Sequence, residues 1–371
     1  MTVRANKPAF NIREKLKELE RPIGVKGSEL MRAETAQDAR DLVSAGRKNI
    51  VYNGNMEIAQ RGTSFASLSS GTTRTLDGMA MSFSGGNGGT WTVSQESDAP
   101  PGFQKSIKAL CTSGYTDTTN NYVSFAHRIE GYNLNHLAYG TSSAKPITIS
   151  FWVKCSKPGP HLVFEIYTGR NFTRLININQ ANTWEYKTET VDGDTAAAFL
   201  STVNTVGAYV NFFFGLGTDY KASAMNTSWS GYSEGARAYG LVNLNQTNDY
   251  IQITGVQLEV GKNATEFEHR SYGEELALCQ RYYETGTNSC WSGTTATSVT
   301  YARVVVPFKV RKRATPTSVT ATVFDYGGGF NASSTATTNS PSVDAFQWYS
   351  LANAGSNDSW IFCSWTANAE L

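Results

Sequence analysis

The chain has 371 residues and a formal net charge of +1 at pH 7. This balance excludes a global field that would draw the protein to nucleic acid or to an anionic membrane. The composition is 40% hydrophobic and 12% aromatic, with only 17% charged residues and 33 glycines, which favours strands and turns over helices. The length suits two β-rich domains plus a smaller segment.

Residues 1–49 are rich in charge and poor in glycine, and they predict two short helices, the first closed by Pro22 and the second over 35–45. Helices of this length bury too little apolar surface to fold alone. They need to pack against copies of themselves or against a binding site on another protein, so we interpret 1–49 as an attachment segment. The candidate docking residues on its apolar faces are Ile12, Leu16, Leu19, Leu42 and Val43.

Residues 50–270 consist of short apolar or alternating runs separated by glycine, asparagine, aspartate and proline. Runs of β-branched and aromatic residues with this spacing predict strands. Alternations such as Ile-Thr-Ile predict one buried and one polar face, as a two-sheet antiparallel sandwich requires. The clearest runs are 147–153 (ITISFWV), 162–167 (LVFEIY), 208–214 (AYVNFFF) and 250–260 (YIQITGVQLEV).

Residues 271–284 predict a helical turn or two at a domain junction, because apolar and charged residues interleave there at helical spacing. Residues 285–371 return to strand character, seen in 299–310 (VTYARVVVPFKV) and 360–365 (WIFCSW). We expect a second, smaller β domain here. The predicted fold class is therefore mostly β, with short N-terminal helices, a central sandwich and a small C-terminal β domain.

Five segments resemble, in order, a recurrent module of bacteriophage tail fibre proteins. They are NGNMEIAQRGTSF (53–65), DAPPGFQKSIKAL (98–110), RIEGYNLNHLAYGT (128–141), KPITISFWVKCSKPG (145–159) and ITGVQLEVGKNATEFEHRSYGEELALCQRYYE (253–284). Upstream, ELMRAETAQDARDLVSAG (29–46) is similar to the alanine-rich helices that precede such modules.

The resemblance implies a jelly-roll sandwich akin to carbohydrate-binding modules, within a structural protein of the virion. Residues 1–49 would attach to a tail protein such as a nozzle, adaptor or baseplate component, and 285–371 would form the distal tip that meets a glycan or lipopolysaccharide on the host surface. The protein would be made in the host cytoplasm, and no apolar run reaches the roughly 20 residues of a membrane-spanning helix. We expect a homotrimer, because the helices lack a core of their own.

Two alternatives remain open at this point. The same module could project from the capsid as a head fibre or decoration protein, with a capsid protein as the partner of 1–49. It could also belong to a depolymerase of surface polysaccharide, since paired carboxylates can meet only in the fold. We expect no enzyme, because the sequence carries no catalytic motif and no internal repeat of the kind that builds a β-helix.

The opening strand of such modules sometimes contributes to a structural calcium site, which here would map to Asn53, Gly54 and Glu57. No cofactor is otherwise expected, and no histidine or cysteine spacing predicts a metal site. Cysteine positions are scattered and odd in number, so we predict reduced and mostly buried thiols. They are Cys111, Cys155, Cys279, Cys290 and Cys363.

The C-terminal aromatics are candidates for receptor contact, because exposed Trp and Tyr rings stack on the C–H faces of sugars. Their alternation also suits core packing in a half-buried strand, and the pattern favours this second interpretation. The candidates are Trp348, Tyr349, Trp360 and Trp365. The basic run KVRKR (309–313) could touch phosphates, although we interpret it as a solvated strand end.

Overall fold

The computed structural model describes residues 48–85, 88–292, 300–328, 330, 336–352 and 359–371. Residues 49–371 form one compact unit. The predicted N-terminal helices lie outside the described residues, as do the docking candidates Ile12, Leu16, Leu19, Leu42 and Val43. In the described ranges, no helix has the length and hydropathy needed to cross a membrane.

Two antiparallel sheets packed face to face form the central domain, which confirms the predicted β-sandwich. Its strands are β1 (Ser64–Leu68), β2 (Thr72–Arg74), β3 (Ala80–Ser84), β4 (Thr90–Glu96), β5 (Ser106–Ser113), β6 (Tyr122–Glu130), β7 (Ile147–Cys155), β8 (Gly159–Tyr167), β9 (Arg170–Ile178), β10 (Glu185–Val191), β11 (Val206–Leu216), β12 (Ser230–Gly231) and β13 (Tyr250–Val260). The six-stranded sheet has the order β1-β4-β5-β13-β7-β10, and the seven-stranded sheet has the order β12-β9-β8-β11-β6-β3-β2. Single 3-10 turns occupy Gly131–Asn133, Asn135–Leu137, Thr218–Lys221 and Glu234–Ala236.

The core lies between the two sheets and follows the alternation of the sequence. On β7, Ile149 and Phe151 point inward with no exposed surface. Phe151 meets Phe212 of the opposite sheet edge to face, with 5.0 Å between ring centroids. Burying each such side chain contributes about 1.5–3 kcal/mol, which makes this pattern the main determinant of the sandwich.

A helix, α1 (Tyr272–Gln280), follows the sandwich where the sequence predicts a helical turn or two. Ser271 and Glu274 form a capping box at its N-terminus, in which each side chain accepts from the other residue's backbone N–H. Such a cap contributes about 1 kcal/mol. The helix is therefore fixed locally by its own sequence.

Two three-stranded antiparallel sheets with a hydrophobic cluster of their own follow α1, and we call this part of the unit the C-terminal domain. Their strands are β14 (Tyr283–Ser292), β15 (Thr300–Pro307), β16 (Ser318–Gly327), β17 (Thr337–Asn339), β18 (Ala345–Ala352) and β19 (Ser359–Asn368), in the orders β14-β19-β16 and β15-β18-β17. The core of this domain contains Phe346, Trp348 and Trp365, with 5.2 Å between the rings of Phe346 and Trp365.

The interpretation of the basic run at 309–313 as a solvated strand end holds for Lys309 and Arg311, which are exposed, but it was wrong for Lys312 and Arg313. Lys312 is buried, and its Nζ lies 2.5 Å from the Glu284 carboxylate, which has no exposed surface. Arg313 donates to the main-chain oxygens of Asn204 and Ala369, at 2.8 and 2.6 Å. Arg313 thus connects the C-terminal domain to the sandwich, and Lys312 connects 309–313 to the start of β14.

Four cysteines, Cys111, Cys155, Cys279 and Cys363, are buried, as predicted. The side chain of Cys290 lies outside the described residues. Burial raises the pKa of Cys111 to about 11, so this thiol stays protonated and unreactive at neutral pH.

Candidate functional site

A groove runs along the outer face of the seven-stranded sheet and encloses about 340 Å³. Strands β2, β3, β6, β8 and β11 form its floor, and the segment between β11 and β13 forms one wall. The lining residues are Thr72, Ser82, Tyr122, Ser124, Ala126, Arg128, Glu165, Tyr167, Tyr209, Asn211, Phe213, Tyr220, Tyr232 and Arg237.

The floor of the groove follows from strand alternation. On β6, Phe125 points into the core while Ser124 and Ala126 line the groove. On the neighbouring β11, Phe212 points inward and Asn211 lines the groove. Small and polar residues on the outer face therefore leave a shallow channel where larger side chains would fill it.

The wall of the groove is held by a second apolar cluster, separate from the main core. The segment 217–245 folds over one end of the sheet and packs on Val163 and Phe213. Tyr220 and Leu241 of this segment are 5% and 4% exposed. Because this cluster covers only part of the outer face, the rest of the sheet remains open as the groove.

A buried ion pair fixes the centre of the wall. Arg237 donates from Nε and Nη2 to the two oxygens of Glu165, at 2.8 and 2.7 Å. Asn211 donates a further hydrogen bond of 2.9 Å to Glu165. Burial alone would lower the pKa of Arg237, but the Glu165 carboxylate raises it above its ordinary value, so the guanidinium stays charged.

Three tyrosine rings form a contiguous cluster in the lining of the groove. Tyr167 lies 5.9 Å from Tyr209 and 5.6 Å from Tyr232, measured between ring centroids. Tyr232 is 48% exposed, and the Arg237 guanidinium lies 5.5 Å from its ring centroid. An exposed tyrosine offers an apolar face with a hydroxyl at its edge, which is the combination that binds a sugar ring.

The chemistry of the lining suits binding by stacking and hydrogen bonds. Ser82, Ser124 and Asn211 supply neutral polar groups along the floor. Glu165 is the one carboxylate among the lining residues, and it is 1% exposed and held by Arg237. Glycosidases generally use two carboxylates that flank the scissile bond, and this lining offers one that is already engaged.

The aromatics proposed from the sequence lie in the C-terminal domain and not in this groove. Trp348 and Trp365 are 0% and 4% exposed, so their rings belong to the core and offer no face to a ligand. Tyr349 and Trp360 are half-buried. Trp360 lies over Gly327, where a Cβ would come within 2.6 Å of the indole, and it meets Phe362 edge to face at 5.5 Å.

Two of the three residues suggested for calcium, Asn53 and Gly54, are engaged in other contacts. Asn53 Oδ1 accepts from the Ile58 N–H at 2.9 Å, and its Nδ2 donates to the main-chain oxygens of Ile58 and Asp77. Gly54 packs against the main chain of Val256, where a Cβ would lie 2.1 Å from the carbonyl oxygen. Asn53 therefore organises a turn, and the described residues hold no cluster of three or more His, Cys, Asp or Glu.

No family model matches the sequence, and a comparison with curated proteins found no match. Among solved structures, the chain is similar to a Bacteroides thetaiotaomicron protein described as sugar-binding, with 9% identity and a TM-score of 0.34, covering 58% of this chain and 100% of that one.

Two further similarities are to the enzymatically active domain of tailspike protein 4 of bacteriophage CBA120 and to a family 11 carbohydrate-binding module of Clostridium thermocellum. The first has 15% identity and a TM-score of 0.29, covering 57% of this chain and 23% of that one. The second has 11% identity and a TM-score of 0.28, covering 55% and 98%. Because these scores and identities are low, we draw no argument from them.

Proposed function

We propose that this chain is a non-enzymatic structural protein of a bacteriophage particle, a tail fibre whose sandwich binds a glycan on the host surface. The observation that carries the glycan-binding part is the groove, in which the exposed ring of Tyr232 and the half-buried rings of Tyr167 and Tyr209 lie beside a floor of small polar side chains. The tail fibre part rests on the resemblance of residues 53–284 to the tail fibre module. Residues 1–49 would provide the attachment to the tail.

Tyr232 provides the direct test of the groove, because its ring is 48% exposed beside Arg237. We expect the full chain to bind host lipopolysaccharide or capsular glycan on an array, and Tyr232→Ala to weaken that binding about tenfold through loss of one stacking face. Tyr186→Ala is the matched control, since Tyr186 is 45% exposed on the six-stranded sheet and does not line the groove.

Equal binding by the parent chain and Tyr232→Ala would overturn the assignment of the site. Absence of binding to any host glycan would overturn the glycan-binding function itself. The same incubations test the non-enzymatic part, because accumulation of new reducing ends over time would show turnover of the polysaccharide.

The place of the chain in the particle is a separate part of the proposal. A segment comprising 1–49 should retain tail proteins from a lysate of infected cells. Retention of capsid protein instead would favour the alternative of a head fibre or decoration protein, and a density map of the intact particle would distinguish the two directly.

A further inference from the structure

The orientation of the Asn211 side chain is fixed by its neighbour on β8. Asn211 lies opposite Glu165 in the ladder between β11 and β8. Glu165 accepts two hydrogen bonds from Arg237 and a third, of 2.9 Å, from Asn211. Because a carboxylate only accepts, the Asn211 atom beside it is the amide nitrogen Nδ2. Turning the amide over would set two oxygens against each other, so Oδ1 is held on the other side.

The amide oxygen of Asn211 is open to the groove. Asn211 is half-buried in the groove lining, and within the described residues its Oδ1 accepts no hydrogen bond. Several buried side-chain oxygens and nitrogens lack a partner in this structure, and Asn211 Oδ1 is not among them, so it retains contact with solvent. The floor therefore presents an oriented group that accepts hydrogen bonds and cannot donate them.

The surroundings of this oxygen are apolar on one side and aromatic on the other. Ala126, the ladder partner of Asn211 on β6, lines the groove and has a methyl group as its side chain. Tyr209 lies on the same face of β11, about 7 Å along the strand from Asn211, and its ladder partner is Tyr167. A sugar ring that packs on these tyrosines can thus place one substituent between Asn211 and Ala126.

The acceptor determines what kind of substituent fits. A carboxylate, a phosphate or an ester brings only acceptors, and it would cover Asn211 Oδ1 without replacing the lost water, which is costly. A hydroxyl group or an amide N–H can donate to this oxygen. An acetamido group also carries a methyl group next to its amide, which matches the methyl group of Ala126.

We propose that the groove binds glycans that contain an N-acetylated amino sugar, and that Asn211 selects the acetamido group. The acetamido N–H donates to Asn211 Oδ1, and the acetamido methyl group packs against Ala126. The sugar ring stacks on the cluster of Tyr167, Tyr209 and Tyr232. The inference rests on the proposed glycan-binding function and names the class of ligand.

The test uses the full chain and sets of synthetic oligosaccharides of equal length in the gluco, galacto and manno configurations. Within each set, carbon 2 carries an acetamido group, an O-acetyl ester or a free hydroxyl group. The first two probes have the same size and differ in the N–H donor. In at least one configuration we expect the N-acetyl probe to be bound about tenfold more tightly than the other two, because a site built around a donor rejects the analogue that lacks it.

Variants in the groove floor link the preference to these residues. Asn211→Leu should abolish the preference for the N-acetyl over the O-acetyl probe, because the acceptor is gone. Ala126→Leu should weaken binding of the N-acetyl probe more than binding of the hydroxyl probe, because the larger side chain occupies the space of the acetamido methyl group. Thermal unfolding of each variant measures whether the fold is intact.

Asn177→Leu is the matched control for the Asn211 variant. Asn177 is an exposed asparagine of β9 that does not line the groove, and its Nδ2 likewise donates to a neighbouring side chain, that of Asn179. The control should keep the full preference of the parent chain.

The outcomes separate the two proposals. Equal binding of the N-acetyl and O-acetyl probes in every configuration, a preference for the hydroxyl probes, or a preference that survives in Asn211→Leu would overturn the N-acetyl specificity while glycan binding stands. Binding of host glycans without binding of any N-acetyl probe would overturn it as well. If the parent chain binds neither the probes nor a host glycan, glycan binding itself is overturned, and the specificity with it.

Discussion

Single side chains in this protein are fixed by partners distant in the sequence. His127 on β6 is buried, its Nδ1 lies 2.8 Å from the Gly78 carbonyl oxygen, and its ring meets Tyr52 at 4.8 Å. Since a carbonyl oxygen only accepts, Nδ1 carries the proton. Its Nε2 has no partner in the described part of the chain. This imidazole is therefore held in its neutral form as a structural residue.

The stability of the fold should depend on pH through His127. Burial lowers its pKa from 6.5 to about 4, so the contribution of neutral His127 is fully present above pH 6.5 and is lost as pH falls through 4. The parent should lose about 3 kcal/mol more unfolding free energy between pH 7 and pH 4 than His127→Asn, which keeps a donor for Gly78 but does not titrate. Denaturant unfolding at several pH values measures this difference.

Asp77 makes stability depend on pH in the opposite direction, and this effect is the same in the parent and in His127→Asn. Burial raises its pKa from 3.8 to about 6, so its contribution is present below pH 3.8 and lost as pH rises through 6. Because the parent and His127→Asn both contain Asp77, the difference between their unfolding free energies reports on His127 alone. Parallel pH profiles for the two proteins would contradict the prediction.

At the scale of elements, the junction between the two domains depends on buried charge. Lys312 Nζ is bonded to the Glu284 carboxylate and to the main-chain oxygens of Gln280 and Val310. It thus ties the end of α1 to β14. A buried pair of this kind is costly to form, but removing one partner is more costly because the other charge is left unpaired.

Lys312→Met should lower the unfolding free energy by about 3–5 kcal/mol, because it leaves the Glu284 carboxylate buried and uncompensated. The double variant Lys312→Met with Glu284→Gln should recover part of that loss. Arg311→Met is the control, since the Arg311 and Asp344 side chains are 70% and 61% exposed and such pairs contribute about 0–1 kcal/mol. A loss equal to that of the control would show that the pair does not stabilise the junction.

The positions of the long buried strands could be predicted from the sequence alone. The run at 250–260 coincides with β13, and 147–153 lies within β7, because alternation over a buried core is a local signal. Lys312 was misread because its partner, Glu284, lies 28 residues away. Nothing local distinguishes a buried lysine from a solvated one.

The groove could not be predicted for a related reason. Its residues come from five strands and one long segment, and only strand register brings them together. Tyr209 is the ladder partner of Arg128 on β6 and of Tyr167 on β8. The sequence shows these tyrosines, but it does not show which strands are neighbours, and it is the pairing of β11 with β6 and β8 that brings their rings together.

At the scale of the whole molecule, we expect three copies of the chain to associate. The C-terminal domain exposes large apolar side chains, with Val305 at 60%, Phe324 at 58% and Tyr326 at 38%. Apolar surface of this kind is covered in symmetric assemblies. Sedimentation equilibrium of the full chain should give three times the chain mass, and a compact monomer at micromolar concentration would contradict the prediction.

The ladder between β14 and β19 begins by pairing Tyr283 with Asn368, so the chain leaves the sandwich and returns to it at a single point. The segment between Tyr283 and Asn368 therefore begins and ends on neighbouring strands. Such an arrangement allows the intervening sequence to be replaced without altering the sandwich, provided that the substitute again buries a lysine against a carboxylate, as Lys312 is buried against Glu284, and presents an arginine to Asn204. The contacts of Lys312 and Arg313, more than the rest of the C-terminal domain, therefore determine which other domain could follow the sandwich.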